Sequence, residues 1–198
     1  MPYQSVYDRI HTLENEARPH IITISGPSGA GKSTLAEEII ATTPDSVLIS
    51  TDYYYFDDDA MPSEVFTGEK VDYDHPAAFQ LGRLAHDLIQ LQGGEPIEMP
   101  RYSMHLGYSP HTLTVTPHQL IVVEGIVANY PPIRALADFS ICVTAPFEVR
   151  LERRMARDQL RSHRTPERTR EVFLKYIEPG YDKYHRANDA EVDMIISI

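Results

Sequence analysis

The run Gly26-Pro27-Ser28-Gly29-Ala30-Gly31-Lys32-Ser33 constrains this chain more than any other feature. It fits G-x-x-x-x-G-K-[ST], with a β-branched run, His20–Ile24, before it and a helix-compatible run, Thr34 to Ile40, after it. The glycines let the backbone turn tightly so that successive N–H groups converge on an anion. The helix that follows adds the partial positive charge of its N-terminus. Gly26, Ser28, Gly29, Ala30, Gly31 and Thr34 are therefore assigned to a phosphate cradle. Lys32 is placed to reach the β- and γ-phosphates of a nucleotide, and Ser33 to offer its hydroxyl to Mg²⁺.

Further strands are expected at Ser46–Ser50, Leu120–Val123, Phe139–Val143 and Val192–Ile198, separated by helical stretches. With His20–Ile24 this gives an α/β fold, a parallel sheet of about five strands with helices on both faces, in a single domain over 1–198. Residues 1–19 form a helical extension. Its Gln4–Ala17 stretch has apolar residues three and four apart, stops before Pro19 and is expected to pack on the outside of the domain. Residues 57–74 read as a polar surface excursion. Ala77–Leu91 reads as an amphipathic helix, for which Asp74 is a candidate cap. Residues 95–115 read as a small two-stranded flap with Tyr102, Met104, His105 and Tyr108 on its loop. A helix from Pro146 is expected to bury Phe147, Leu151, Met155 and Leu160. Another starts at Thr165-Pro166-Glu167, is interrupted at Pro179 and continues through Tyr184.

Two carboxylates follow strand ends, where open α/β sheets bind ligands. Asp52 is suited to take the proton of a substrate hydroxyl or to hold Mg²⁺ through water, with a turn cap as the structural alternative. Glu124 is suited to organise Mg²⁺ through water. The 18 Lys and Arg against 29 Asp and Glu leave a net charge of −11, which argues against a nucleic-acid partner. Yet Arg150, Arg153, Arg154, Arg157, Arg161, Arg164, Arg168 and Arg170 crowd one stretch. That segment reads as an arginine-bearing lid over 157–168, with Arg157 and Arg164 closing on phosphates; solvated ion pairs along a helix are the alternative. The single cysteine, Cys142, lies in an apolar run and reads as a buried strand residue. No apolar run approaches the ~20 residues that cross a bilayer, so a cytoplasmic protein without a membrane partner is expected.

On these blocks the chain resembles the uridine kinase and phosphoribulokinase group of P-loop kinases. The resemblance rests on GPSGAGKST at 26–34, STDYYY at 50–55, VDYDHPAAF at 71–79, PRY at 100–102, VVEGI at 122–126, RLERRMARD at 150–158 and EVDMIIS at 191–197. It implies that Asp52 is the base at the phosphate acceptor, that Tyr55, Asp74 and Tyr102 help form a nucleoside pocket, and that Glu124 lies near Mg²⁺. It also implies that Arg154 and Arg157 lie at the nucleotide and lid side. Three stretches depart from the family pattern. Tyr102-Ser103-Met104 stands where the family has Tyr-Asp-Phe, with Gly107 at its histidine position. Arg161-Ser162-His163-Arg164 replaces a Glu-Arg-Gly-Arg lid, and Lys175 matches a base-reading glutamine.

The resulting expectation is a kinase that uses ATP and Mg²⁺ to phosphorylate the primary hydroxyl of a small molecule, a nucleoside such as uridine or cytidine. The alternatives are a pantothenate-like alcohol or a sugar phosphate, for which Arg101, Lys70 and Lys175 are the cations to watch, or a nucleotide-hydrolysing switch. Homo-oligomerisation is left open.

Overall fold

The computed structural model of the chain describes residues 3–14, 16, 18–68 and 70–198, without the side chains of residues 14 and 161. In chain order the elements are α1 (Gln4–Glu14), β1 (His20–Ser25), α2 (Lys32–Thr42), β2 (Ser46–Ser50), β3 (Phe66–Thr67), β4 (Lys70–Val71), α3 (Leu81–Gln92), β5 (Ile97–Pro100) and β6 (Thr112–Val115). They continue with β7 (Leu120–Glu124), α4 (Pro131–Arg134), β8 (Phe139–Thr144), α5 (Phe147–Ser162), α6 (Pro166–Val172), α7 (Glu178–Tyr184), α8 (Arg186–Asp189) and β9 (Met194–Ser197). The main sheet has the order β2-β7-β1-β8-β9 and every pairing in it is parallel. The α/β parallel architecture expected from the sequence is the observed one.

Strand alternation divides the core. Ile22 and Ile24 of β1, with Val122, Ile141 and Val143, face α1 and α2. Ile21, Ile121 and Val123 face the other way, onto Leu84, Leu88 and Leu91 of α3 and onto Ile97, Met99 and Val115 of the flap. Burying both faces leaves the backbone ends of the strands as the place for chemistry.

Several expectations change in detail. α1 ends at Glu14, and Ala17 lies outside the described residues. The helix is no outer decoration: Val6, Ile10 and Leu13 are 0%, 1% and 2% exposed and belong to the main core. The 57–74 excursion sends Met61 and Val65 into a third apolar cluster with Tyr55, Phe79 and Tyr102. α3 begins at Leu81 rather than Ala77. The preceding Pro76–Ala78 turn is capped by His75, whose Nδ1 accepts from the Ala77 N–H, so Asp74 is not the cap. α5 buries Leu151 and half-buries Phe147 and Met155 as expected, but Leu160 is 81% exposed and Arg150 is buried, against expectation at those two positions. Arg150 turns inward because Glu178 of α7 receives its guanidinium in two bonds, at 2.5 and 2.7 Å. Pro179 does not break the last helical stretch. A π-helical turn, Phe173–Ile177, carries the chain into α7, and Pro179 sits in its first turn, where no N–H is required. The 95–115 flap is the β5–β6 hairpin. No helix among the described residues is long and apolar enough to cross a membrane.

Candidate active site

The parallel register levels three strand tips. Ser50 of β2 and Ile24 of β1 both pair with Glu124 of β7, so the P-loop and the segment carrying Asp52 flank that glutamate. Two strand spacings of about 4.8 Å separate the outer pair by about 10 Å. The loop turns sharply after β1: Gly26 has φ +133°, and a Cβ there would overlap the Val143 carbonyl, so only glycine fits. Lys32 and Ser33 then open α2. The Lys32 ammonium donates to the Pro27 carbonyl at 3.3 Å, and the Ser33 hydroxyl donates to Glu124 Oε1 at 3.0 Å. Burial raises the Glu124 carboxyl above its ordinary pKa; Lys32 opposes the shift and Asp52 adds to it. Gly29 and Ala30 are held from outside, their carbonyls accepting from Arg153 Nη1 at 3.4 and 3.2 Å. Gly31 and Thr34 line a small cleft beside α2.

Asp52 lies exposed in the turn after β2, its N–H donating to Ser50 Oγ at 3.4 Å. Its charge is felt at Tyr55 and Asp74 as well as Glu124. Asp74 is pushed up to about 6, first by burial and then by Asp72, with Arg154 and Lys32 acting in the opposite sense. Tyr55 packs on Phe79 at 4.1 Å, on Tyr102 at 5.3 Å and edge-on against Tyr73 at 5.7 Å between ring centres. The hydroxyls of Tyr102 and Tyr73 both donate to Asp58 Oδ1, at 2.7 and 3.0 Å. Gly107 has φ +74°, and a Cβ there would overlap the Asp58 carboxyl. The glycine that departs from the family pattern is thus matched by a carboxylate filling its side-chain space.

The arginines converge on one acid. Asp158 accepts from Arg154 Nε at 2.8 Å and from Arg164 Nη1 at 3.1 Å, with Arg157 Nε 3.7 Å away. Arg154 also donates to Ser28 Oγ at 2.9 Å, which ties α5 to the phosphate loop. The lid stretch is the end of α5, a left-handed turn at His163 and the start of α6, capped by Thr165. The Arg161 side chain lies outside the described residues. Lys175 is exposed and lies over the Tyr176 ring, 5.3 Å from its centre; among the described residues no contact joins it to the Tyr55–Asp74 group.

Sequence reasoning overlooked three supports. Asp158 was legible as the i+4 partner of Arg154 on a helix. Asp58 carried no signal, because its partners are distant in the chain. Beneath the P-loop, Asp189 accepts from Ser25 Oγ and, at 2.9 Å, from the Tyr181 hydroxyl, a buried network that only the packing of α7 and α8 assembles. Cys142 is buried beside it, its thiol pushed up to about 12 by burial, as expected of a structural residue.

The sequence model of the Phosphoribulokinase / Uridine kinase family matches residues 21–198. The chain belongs to this family. It is 32% identical over 192 residues to a uridine kinase of Deinococcus deserti, covering 93% of this chain and 90% of the relative. A uridine kinase of Tolumonas auensis is 35% identical over 188 residues, covering 89% and 85%. Among solved structures, a provisionally assigned fructose transport system kinase from Silicibacter sp. superposes with a TM-score of 0.77 at 16% identity, covering 96% of this chain and 97% of its own. That last likeness concerns the fold alone. At family level the chain is an ATP-dependent small-molecule kinase of the uridine kinase/phosphoribulokinase type.

A family member needs a place for Mg·ATP. The paired Ser33 hydroxyl and Glu124 carboxylate are hard oxygen donors of the kind Mg²⁺ takes. No cluster of three or more metal-binding side chains exists among the described residues, and none is needed: Mg²⁺ in such sites takes one or two protein oxygens plus phosphates and water.

Proposed function

We propose that this chain transfers the γ-phosphoryl group of ATP to the primary hydroxyl of a neutral, hydroxyl-rich small molecule, with a nucleoside such as uridine or cytidine as the leading acceptor. The observation that carries the reading is the levelled row of strand tips, with Asp52 and Lys32 on either side of Glu124. Lys32 and the loop N–H groups hold the β- and γ-phosphates. Ser33 and Glu124 hold Mg²⁺, which when bound neutralises charge on the phosphate oxygens. Asp52 orients the acceptor hydroxyl and takes its proton, while Arg154, Arg157 and Arg164 stand along α5 and the turn after it to offset charge on the transferring group. Asp74 accepts from a second hydroxyl of the acceptor.

The charge of the acceptor side supports a neutral substrate. Asp72 and Asp52 both raise the Asp74 carboxyl there. Of the cations an anionic acceptor would need, Arg101 stacks 4.0 Å over the Tyr53 ring and Lys175 lies over Tyr176, while Lys70 is exposed on β4. This favours a nucleoside over a sugar phosphate or a carboxylate-bearing alcohol. The relatives named uridine kinase point the same way.

The test is ADP release measured over uridine, cytidine, pantothenate and sugar phosphates, for the wild type and Asp52→Asn. Nucleoside-dependent release that falls by about 10²–10⁴-fold in the variant is the expected result. Release that ignores every acceptor, or that needs a sugar phosphate, would overturn the reading.

A further inference from the structure

On the far side of the P-loop from Asp52 lies a cleft of about 180 Å³, lined by Tyr3, Gly31, Thr34, Arg153 and Ile198. Its direction follows from the sheet. Asp52 follows β2 at one edge, whereas Ile198 follows β9 at the opposite edge, with the P-loop between them. A nucleotide whose γ-phosphate points towards Asp52 therefore directs its other end towards this cleft. The volume is smaller than the roughly 300–1,000 Å³ of a pocket for a whole drug-sized ligand, and it suits one flat ring system.

The walls are chemically suited to such a ring. Arg153 offers a planar guanidinium, anchored on the carbonyls of Gly29 and Ala30. Tyr3 offers a phenol ring, 9% exposed and carried by the turn ahead of α1. Both groups stack on flat π systems, and stacking on an aromatic face tolerates any base. Tyr3 is fixed because Val6, Ile10 and Leu13 root α1 in the core. It also lies outside residues 21–198, the part of the chain that the family model matches.

We propose that Tyr3, brought by the N-terminal helix, stacks on the base of the donor nucleotide in this cleft. The inference rests on the kinase reading above. It assigns α1 a role beyond core packing, because the helix holds one wall of the cleft.

The test uses the full chain and two ligands, ATP and inorganic tripolyphosphate, the second having the phosphates without the base. Calorimetric titration of the wild type is compared with Tyr3→Phe, Tyr3→Ala and Tyr3→Leu; the last keeps apolar volume should the alanine variant unfold. ATP affinity is expected to fall about tenfold in Tyr3→Ala and Tyr3→Leu, as for loss of one base–aromatic stack. Tripolyphosphate affinity stays unchanged, and Tyr3→Phe stays within about twofold for both ligands. Equal weakening of both ligands, or unchanged ATP affinity in Tyr3→Leu, would overturn the inference. A wild type that binds tripolyphosphate as tightly as ATP overturns it alone. A wild type that binds neither overturns the kinase reading as well.

Discussion

The donor side and the acceptor side of this site are built in opposite ways. On the donor side, eight consecutive residues, running from the end of β1 into the first turn of α2, make the cradle, and one distant acid, Glu124, completes it through a single hydrogen bond with Ser33. On the acceptor side, Asp52, Tyr55, Asp58, Asp74, Phe79 and Tyr102 come from several separate segments, and a Cβ on Gly180 of α7 would lie 2.8 Å from Asp74 Oδ2. Phosphate is recognised largely by backbone N–H groups, so a short motif suffices. An acceptor is recognised by side chains, whose mutual placement depends on every loop that carries them. One side is therefore held by local geometry and the other by tertiary packing.

The strongest way to break this division is a pair of substitutions at the chemical step. Asp52→Asn is expected to lower kcat by about 10²–10⁴-fold and leave ATP affinity intact. Lys32→Met is expected to lower kcat by about 10²–10³-fold and weaken ATP binding as well. Steady-state kinetics with nucleotide titration checks both; weaker ATP binding in Asp52→Asn would merge the two sides.

A smaller effect is expected at the joint between them. Arg150 of α5 and Glu178 of α7 form a bidentate pair with side chains only 8% and 19% exposed. Arg150→Met leaves Glu178 without its partner and should cost about 3 kcal/mol in chemical denaturation. Because α7 packs on Asp74, the KM for the acceptor should rise more than that for ATP.

Titration of Asp74 sharpens the contrast further. Its value of about 6 in the folded chain stands above the ordinary 3.8. The native state therefore holds the extra proton between those values. The contribution of Asp74 to stability is most favourable below pH 3.8 and is lost as pH rises through about 6. Asp74→Asn should raise stability by about 1–3 kcal/mol at pH 8 and by less at pH 5, read by thermal unfolding. In the wild type, protonation removes the acceptor for a substrate hydroxyl, so the acceptor KM should rise as pH falls below about 6 while the ATP KM stays nearly level.

The smallest effect concerns the aromatic wall. Tyr102→Phe removes the 2.7 Å bond to Asp58 but keeps the ring on Tyr55. A loss of about 1 kcal/mol in stability is expected, with a two- to fivefold rise in acceptor KM at most.

The donor side was legible residue by residue, because its glycines, lysine and serine are adjacent and their spacing is itself the geometry. Asp52 and Glu124 were legible as candidates, since strands read from apolar runs show where their ends fall. The cap at 75, the inward turn of Arg150 and the exposure of Leu160 were not. The inward turn of Arg150 depends on Glu178, a neighbour from another part of the chain, whereas the cap is a local contact of His75 with the Ala77 N–H at a place where Asp74 was equally suited by residue type.

Taken alone, the order of residues determined the parallel α/β architecture and the phosphate loop, because short continuous apolar strand runs and a glycine-rich turn are local properties of the chain. Only the tertiary structure decided which side chains meet: that Asp58 fills the space beside Gly107, that Asp158 gathers the arginines, and that Tyr3 reaches the cleft beside α2. Those pairings are set by close packing between segments far apart in sequence, and no spacing along the chain encodes them.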